Sequence, residues 1–336
     1  MHSSSDPSAV PVDVPVGLPV DAPAPSPVAT AAGPAPARRA ATVGLALALV
    51  SAVAFGGSGT AAKPLIEAGL SPAHTVWLRV TGAAAVLLPV AWRHRDAVLR
   101  RPGVLFGFGL LAVAGVQACY FAAISRIPVG VALLIEYLGP PLLIGYVRLV
   151  QRRHVPRRAM AGAGVAVAGL ACVVEVWNGL GFDALGVLFA LGAACCQVGY
   201  FVLADAGRRG ERPVDPLAVS AYGLLIGAVL LTAFTRPWRA DWSLLGRTVT
   251  MDGHQLPALL PALWMVLVAT VLAYLTGVVS VQYLSPPVAG VVANLEAVVA
   301  TVLAWFLLGE HLGTPQLLGG TLVLAGAFAA QSASRS

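Results

Sequence analysis

Ten apolar segments dominate this sequence, and each is close to the roughly 20 residues that a helix needs to cross a bilayer. The chain is 58% hydrophobic and 11% charged, whereas a soluble domain carries about 25% charged residues. Because a water-soluble core cannot bury so much apolar surface, we predict an all-α integral membrane protein with ten transmembrane helices. The segments lack the residue-by-residue alternation of a membrane β-barrel. They lie at about 42–61, 73–92, 104–124, 128–148, 158–176, 184–204, 217–235, 258–281, 286–308 and 314–332.

Arginines in the connecting loops orient the predicted helices. Most of the 21 Lys and Arg residues lie at the termini or in three loops on one side, and basic loops favour the cytoplasm. We therefore expect a multi-pass protein of the cytoplasmic (inner) membrane of a bacterium, with both termini in the cytoplasm. The loop 236–257 would lie outside, although it also carries arginines. The basic stretches are Arg38 with Arg39, 93–101, 148–158, 208–212 and Arg335.

The N-terminal residues 1–38 differ from the rest of the chain because they are rich in Pro, Ala, Ser and Val. Prolines at this spacing exclude helix and strand, so we predict a disordered cytoplasmic tail. It has no basic start and no early apolar run, which argues against a signal peptide. The apolar region then divides into two five-helix halves, 39–182 and 183–333.

The two halves repeat each other around a pair of glutamates. Val129-Gly130-Val131 precedes Glu136, and Ala289-Gly290-Val291 precedes Glu296 at the same distance. The glutamates are 160 residues apart, and each lies near the middle of its apolar segment. Because five is an odd number of helices, the second copy must be inverted in the membrane. Inverted repeats with polar groups at the midplane are typical of secondary transporters.

Several stretches outside the tail carry a recognisable pattern. They are Gly56–Ser58 with Lys63-Pro64 and Arg79, Ile127–Pro140, Leu295–Val298 and Leu308–Gly319. With these stretches the chain resembles the EamA family of the drug/metabolite transporter superfamily over all ten segments. The run from Leu308 to Gly319 is the most specific match.

Within that family, Gly56–Arg79 and Ile127–Pro140 are most similar to the threonine/homoserine exporter branch. The resemblance implies ten helices and the export of amino acids or similar small metabolites. The sequence departs from the family pattern at two places. Ala297 replaces the usual proline, which leaves open whether the ninth segment is kinked. Arg153 stands where the second half has Glu310, so this loop motif is not symmetric.

The two glutamates are the first candidates for a substrate-binding or coupling role. A carboxylate at mid-bilayer costs at least roughly 2.5–3.5 kcal/mol, so it usually marks a function. Pro140 frees a backbone carbonyl near Glu136, and an open helix beside a carboxylate suits an ammonium group or a proton. Asn294 lies two residues before Glu296. In an inverted repeat, both carboxyl groups would reach one cavity and could couple transport to protons. The alternative is a neutral, buried carboxyl group that only packs helices.

Two pairs of polar residues have the same spacing in the two halves. Gln117 and Tyr120 share one face of the third segment, and Gln197 and Tyr200 share one face of the sixth. Each pair offers an amide and a phenol in one direction, so we predict that they line the pathway. Interhelical hydrogen bonding is the alternative role. Tyr274 is a candidate aromatic wall, although membrane-helix aromatics more often pack or anchor the interface.

Two basic residues near the outer ends of the first two segments are candidates for a gate or a charge pair. Lys63 is the single lysine of the chain, and Arg79 follows in the family pattern. Both could instead extend to lipid headgroups, and Glu67 could pair with either. The four cysteines and the loop histidines lack metal-ligand spacing, so we expect no metal and no cofactor.

These features together predict a secondary transporter that exports amino acids or related small metabolites by alternating access. Its expected partners are a small-molecule substrate and membrane lipid, with proton coupling as a hypothesis and no nucleic acid. A carrier of the same fold for a sugar, a nucleobase or a natural product is the alternative. A polytopic membrane enzyme is the more distant one, because the loops hold no convincing catalytic cluster. No phosphate-binding loop indicates direct use of ATP.

Overall fold

The computed structural model describes residues 34–96, 101–175, 177, 182–208, 215–284 and 286–333. Most of the predicted tail and the basic residues Arg100, Arg209, Arg212 and Arg335 therefore lie outside the described residues. Residues 39–336 form one compact unit, and 1–38 form a separate one of which only the start of the first helix is described.

The described chain is helical apart from one hairpin. Two helices have wider, π-type central turns: α3 (Pro102–Gly107, Phe108–Gly115, Val116–Ile124) and α8 (Leu259–Leu263, Trp264–Leu272, Ala273–Val281). One helix is interrupted: α4 (Val129–Glu136, Gly139–Leu149). The other helices are α1 (Pro34–Glu67), α2 (Pro72–Arg93), α5 (Arg157–Val174), α6 (Ala184–Arg208), α7 (Pro216–Thr235), α9 (Pro286–Leu308) and α10 (Thr314–Ala333).

The helices are those of a multi-pass membrane protein. In the described part of the chain, eight of them, α1 to α8, are long and apolar enough to cross a bilayer. The apolar parts of the remaining two are shorter, Asn294–Leu308 in α9 and Thr314–Ala330 in α10. Many large apolar side chains point outward, such as Leu188, Val229 and Phe234, as expected of surfaces that face lipid.

Helices at matching positions in the two halves pack against each other. The helix pairs α2–α7, α4–α9 and α5–α10 are all in contact, and α5–α10 is the most extensive of them. Gly169 and Gly319 let α5 and α10 touch backbone to backbone, since a Cβ at either residue would lie within 2.8 Å of the other helix. On the outside of these pairs, α3 packs on α6, and Ser51 of α1 donates a 2.9 Å hydrogen bond to the Ala273 carbonyl of α8.

The loop between α7 and α8 folds into a cap of its own. It contains two 3₁₀ turns, Pro237–Arg239 and Trp242–Gly246, and an antiparallel hairpin of β1 (Thr248–Met251) and β2 (His254–Pro257). The Trp242 ring lies 5.4 Å from that of Trp77 on α2, and this contact holds the loop against the helices.

Candidate functional site

The interruption of α4 lies directly after Glu136. Pro140 and Pro141 have no N–H, so the carbonyl groups of Glu136 and Tyr137 lose their helical donors. The chain turns at Tyr137 and Leu138, and the helix resumes at Gly139. Gln197 of α6 lies against this break, because a Cβ on Gly139 would meet the Gln197 side chain at 1.9 Å. The two prolines therefore interrupt the helical hydrogen bonds of α4 directly beside the carboxylate of Glu136.

Arg79 lies in the middle of the helix bundle, with only 2% of its surface exposed. Its Nη1 donates to the Ser58 hydroxyl at 2.5 Å and to the Gln117 amide oxygen at 2.7 Å. Its Nε donates to the Thr270 hydroxyl at 2.7 Å, and Nη2 donates to the Ala269 carbonyl at 3.1 Å. All four acceptors are neutral, and none of the ion pairs found among the described residues includes this guanidinium.

The two glutamates and Arg79 line the same small cavity. Its volume is about 30 Å³, which is room for one or two water molecules. The full lining comprises Phe55, Ser58, Arg79, Gln117, Tyr120, Leu133, Glu136 and Glu296. The cavity thus brings α1, α2, α3, α4 and α9 together, and it combines one guanidinium with two carboxyl groups.

The two carboxyl groups differ in how they are held. Tyr137, in the α4 break, donates a 3.3 Å hydrogen bond to Oε2 of Glu296. The buried Oε2 of Glu136 has no hydrogen-bond partner among the residues that the structure describes. One carboxyl group is therefore tied to the opposite half, whereas the other keeps an oxygen for something else.

The remaining predicted site residues divide into two groups. Gln117 and Tyr120 line the cavity, and Tyr274 contacts its wall through an edge-to-face pair with Phe55 at 5.1 Å. Pro140 is part of the α4 break. Gln197, Tyr200 and Asn294 do not line it: Gln197 abuts Gly139, Tyr200 packs edge-on against Phe108 at 5.0 Å, and Asn294 is half-buried on α9.

The structure gives Lys63 and Arg79 surroundings that differ from those expected, in which Glu67 was the candidate partner of either. Arg79 is buried among neutral acceptors and does not extend to headgroups. Lys63 instead forms an ion pair with Glu310, in the loop between α9 and α10, and Glu67 is exposed. The other oxygen of Glu310 accepts from the backbone N–H of Val129 at 2.9 Å, where α4 begins.

Sequence reasoning missed four functional candidates: Ser58, Thr270, Tyr137 and Glu310. Ser58 and Glu310 both belong to the stretches that carry the family resemblance, which is the signal that would have pointed to them. Tyr137 also lies in such a stretch, Ile127–Pro140, whereas Thr270 has no local signal. Their roles depend on which helix lies opposite, 191 residues away for Thr270 and 159 for Tyr137.

A polar cavity enclosed by the helices of a multi-pass membrane protein is typical of membrane transporters. The chain belongs to the EamA-like transporter family, whose sequence profile matches residues 42–175 and again 184–330. The resemblance noted in the sequence is thereby confirmed, and the family is one of transporters and not of enzymes.

Individual relatives agree with this assignment. An uncharacterised transporter, YwfM of Bacillus subtilis, is 28% identical over 85% of this chain and 93% of that protein. The threonine/homoserine exporter RhtA of Escherichia coli K12 is 26% identical over 82% of this chain and 87% of its own length. The aromatic amino acid exporter YddG of Ancylobacter novellus is 29% identical over 41% of this chain and 49% of its own. A solved crystal structure shares the fold with a TM-score of 0.55 at 23% identity, over 89% of this chain and 98% of that one.

Proposed function

We propose that this protein is a secondary transporter that exports amino acids, or related small zwitterions, across the cytoplasmic membrane by alternating access. The observation that carries the proposal is the combination of Arg79 with Glu136 and Glu296 around one buried cavity. Named relatives export threonine, homoserine or aromatic amino acids, which supports the same substrate class and direction here.

The charges of the cavity are complementary to an amino acid. A guanidinium binds a carboxylate through two parallel hydrogen bonds, and a carboxylate binds an ammonium group. Arg79 is held by neutral acceptors that a substrate carboxylate can replace, so binding does not have to break an ion pair. The unpaired oxygen of Glu136 is the matching acceptor for the ammonium group.

The small volume of the cavity fits one closed stage of a transport cycle. A cavity of about 30 Å³ cannot hold an amino acid, so substrate entry requires the surrounding helices to separate. Toward the predicted outer side the packing is tight, since a Cβ on Gly59 of α1 would meet the Tyr120 hydroxyl at 2.4 Å and Val129 at 2.6 Å. Alternating access then consists of loosening this layer while the opposite side closes.

The arrangement of the helices supports ten spans in two inverted five-helix repeats, 39–182 and 183–333. Helices related by five positions pair with each other in α2–α7, α4–α9 and α5–α10, as an axis in the membrane plane would require. The basic loops support an orientation with both termini in the cytoplasm. The end of the helix bundle that carries Lys63 and Glu310 then faces outward.

The decisive experiment is counterflow in proteoliposomes with a panel of amino acids, and with a sugar and a nucleobase for comparison. We expect exchange of at least one amino acid, a strong loss with Glu136→Gln and a smaller loss with Glu296→Gln. Asp241→Asn, an equivalent change on the exposed outer loop, serves as the control and should transport normally. Unchanged rates in both glutamate variants would remove the site from the mechanism.

Proton coupling is tested separately with an imposed pH gradient. If one carboxyl group gains a proton while the other is charged, inward proton flow should accelerate outward substrate flow. The wild-type protein should respond to the gradient, and a Glu136→Gln variant should respond less. A wild-type rate that ignores the gradient would exclude coupling while leaving the substrate class intact.

A further inference from the structure

A second cavity lies at the end of the bundle near Lys63. Its volume is about 290 Å³, close to the lower end of the range for small-molecule sites, roughly 300–1,000 Å³. It is therefore about tenfold larger than the central cavity, whose volume is about 30 Å³. The ends of α1 and α3, the loop between α3 and α4 and the loop after α9 form its walls.

The charges that line this vestibule are balanced. Lys63 and Arg126 contribute two positive groups, and Glu67 and Glu310 contribute two negative groups. A cavity with one dominant sign would favour an anion or a cation. Equal numbers of both signs favour a ligand that carries both charges and no net charge, which describes a zwitterionic amino acid.

We propose that the vestibule is a second binding site for a zwitterionic amino acid, on the side of the membrane where the transported substrate leaves. The inference rests on the proposed function, and it adds a release site to the central one. Lys63 binds the carboxylate of the ligand, and Glu310 binds its ammonium group.

The contacts of Glu310 explain how such a ligand is accommodated. Glu310 pairs with Lys63 of α1 and also accepts from the Val129 N–H at the start of α4, 2.9 Å away. The two side chains are only 18% and 11% exposed, so solvent screens the pair weakly. An amino acid that enters between them gives each charge a new partner, and the buried charges do not lose their compensation.

Displacing Glu310 also affects the outer packing. The same carboxylate ties the loop after α9 to the first turn of α4, and Val129 of that turn lies against Gly59, as does Tyr120 of the central cavity. A ligand in the vestibule therefore loosens the layer through which the next substrate must pass. Arg126 is held more weakly, by a half-exposed ion pair with Asp183 at 3.6 Å, and it remains available as a second cation.

The test compares transport of L-threonine from the two sides of the membrane. Everted vesicles report the half-saturating concentration on the cytoplasmic side, and counterflow into right-side-out vesicles reports it on the outer side. We expect Lys63→Met to raise the outer value about tenfold and to leave the cytoplasmic value within about twofold. Arg247→Gln, on the exposed outer loop, is the control and should change neither value.

A second variant guards against misfolding. Lys63→Met alone leaves Glu310 without its cation, whereas the double change of Lys63→Met with Glu310→Gln keeps an amide oxygen for the Val129 N–H. The double variant should raise the outer half-saturating concentration at least as much, because it also removes the acceptor for the ammonium group. Competition from the outer side adds a chemical readout, because L-threonine amide and N-acetyl-L-threonine each lack one charge and should compete more weakly than L-threonine.

The outcomes separate this inference from the proposed function. If the wild-type protein transports amino acids but the Lys63 variants shift both sides equally, or neither, the vestibule site is wrong and the central site stands. A shift confined to the cytoplasmic side would also overturn it. If the wild-type protein transports no amino acid in the panel, both proposals fall together.

Discussion

The two halves of this protein each carry a glutamate that lines the central cavity, but the helix around it differs between the halves. In the first half, Glu136 ends a helical segment that breaks at Tyr137 and resumes at Gly139. In the second half, Glu296 lies within α9, which continues from Pro286 to Leu308 without a break. The local difference is one of prolines. Pro140 and Pro141 follow Glu136 by four and five positions, whereas Ala300 and Thr301 stand at those distances after Glu296 and keep their N–H groups.

From this difference we infer different tasks for two carboxyl groups at matching positions of the two EamA-like halves. Glu136 has an open helix and an unpaired buried oxygen, which is the setting for a ligand. Glu296 receives the Tyr137 hydroxyl and has the backbone of α1 close behind it, since a Cβ on Gly56 would come within 2.9 Å of its carbonyl oxygen. A duplicated architecture has therefore produced one carboxyl group suited to binding and one suited to support.

The largest expected effect comes from Arg79, which belongs to the first half alone. Arg79→Lys keeps the charge but cannot reach four acceptors on three other helices, nor bind a carboxylate through two parallel bonds. We expect amino acid counterflow to fall by about a hundredfold or more while the protein still purifies as a folded species. Counterflow within twofold of the wild type would show that the guanidinium is only structural.

The second-largest expected effect tests whether Glu136 and Glu296 have different roles. Glu136→Gln should reduce counterflow about tenfold or more, and Glu296→Gln about threefold, because an amide at 296 still accepts from Tyr137. The measurement is the initial rate of counterflow for both variants at matched protein content. Equal losses would mean that the two halves act symmetrically, and the opposite order would assign binding to Glu296.

Much of the lining of the central cavity could be predicted from the sequence, and there is a physical reason why the rest could not. Apolar segments with a carboxylate at mid-span identified Glu136 and Glu296, and the helical spacing placed Gln117 and Tyr120 on one face. The same prediction for Gln197 and Tyr200 stays a prediction, because in this structure α6 turns their shared face toward the α4 break and Phe108, outside the lining of the cavity of about 30 Å³. Periodicity shows which residues share a face but not which neighbour the face meets.

The basic residues show the same limit more sharply. Lys63 and Arg79 were both expected near the outer ends of their segments, with Glu67 as the candidate partner of either. The partner of Lys63 is 247 positions away, in the loop after α9, and it is reached only because the two halves fold together. Arg79 was expected at headgroup depth, but hydroxyl and amide groups on neighbouring helices make its burial possible.

A region where the two halves are symmetric provides the contrast. Gly169 on α5 and Gly319 on α10 face each other, and a Cβ at either position would come within 2.8 Å of the opposite backbone. Gly169→Leu and Gly319→Leu should therefore destabilise the protein by similar amounts, about 3 kcal/mol each. Thermal unfolding in detergent measures this, with Gly164→Leu as the control because the space beside Gly164 is open. Clearly unequal losses would show that the α5–α10 contact is not reciprocal.

The smallest expected effect concerns the hydrogen bond from Tyr137, the residue after Glu136, to the carboxylate of Glu296. Tyr137→Phe removes the 3.3 Å bond to Glu296 and leaves the aromatic ring in place. A single bond between membrane helices contributes about 0.6 kcal/mol on average, so stability should change little.

The informative result is the effect of Glu296→Gln on counterflow in the wild-type protein compared with its effect in the Tyr137→Phe variant. If Tyr137 is what distinguishes Glu296 from Glu136, then in the Tyr137→Phe background the loss of counterflow from Glu296→Gln should become larger and approach that of Glu136→Gln. An unchanged loss would mean that the continuous helix around Glu296, and not the tyrosine, sets the difference between the two halves.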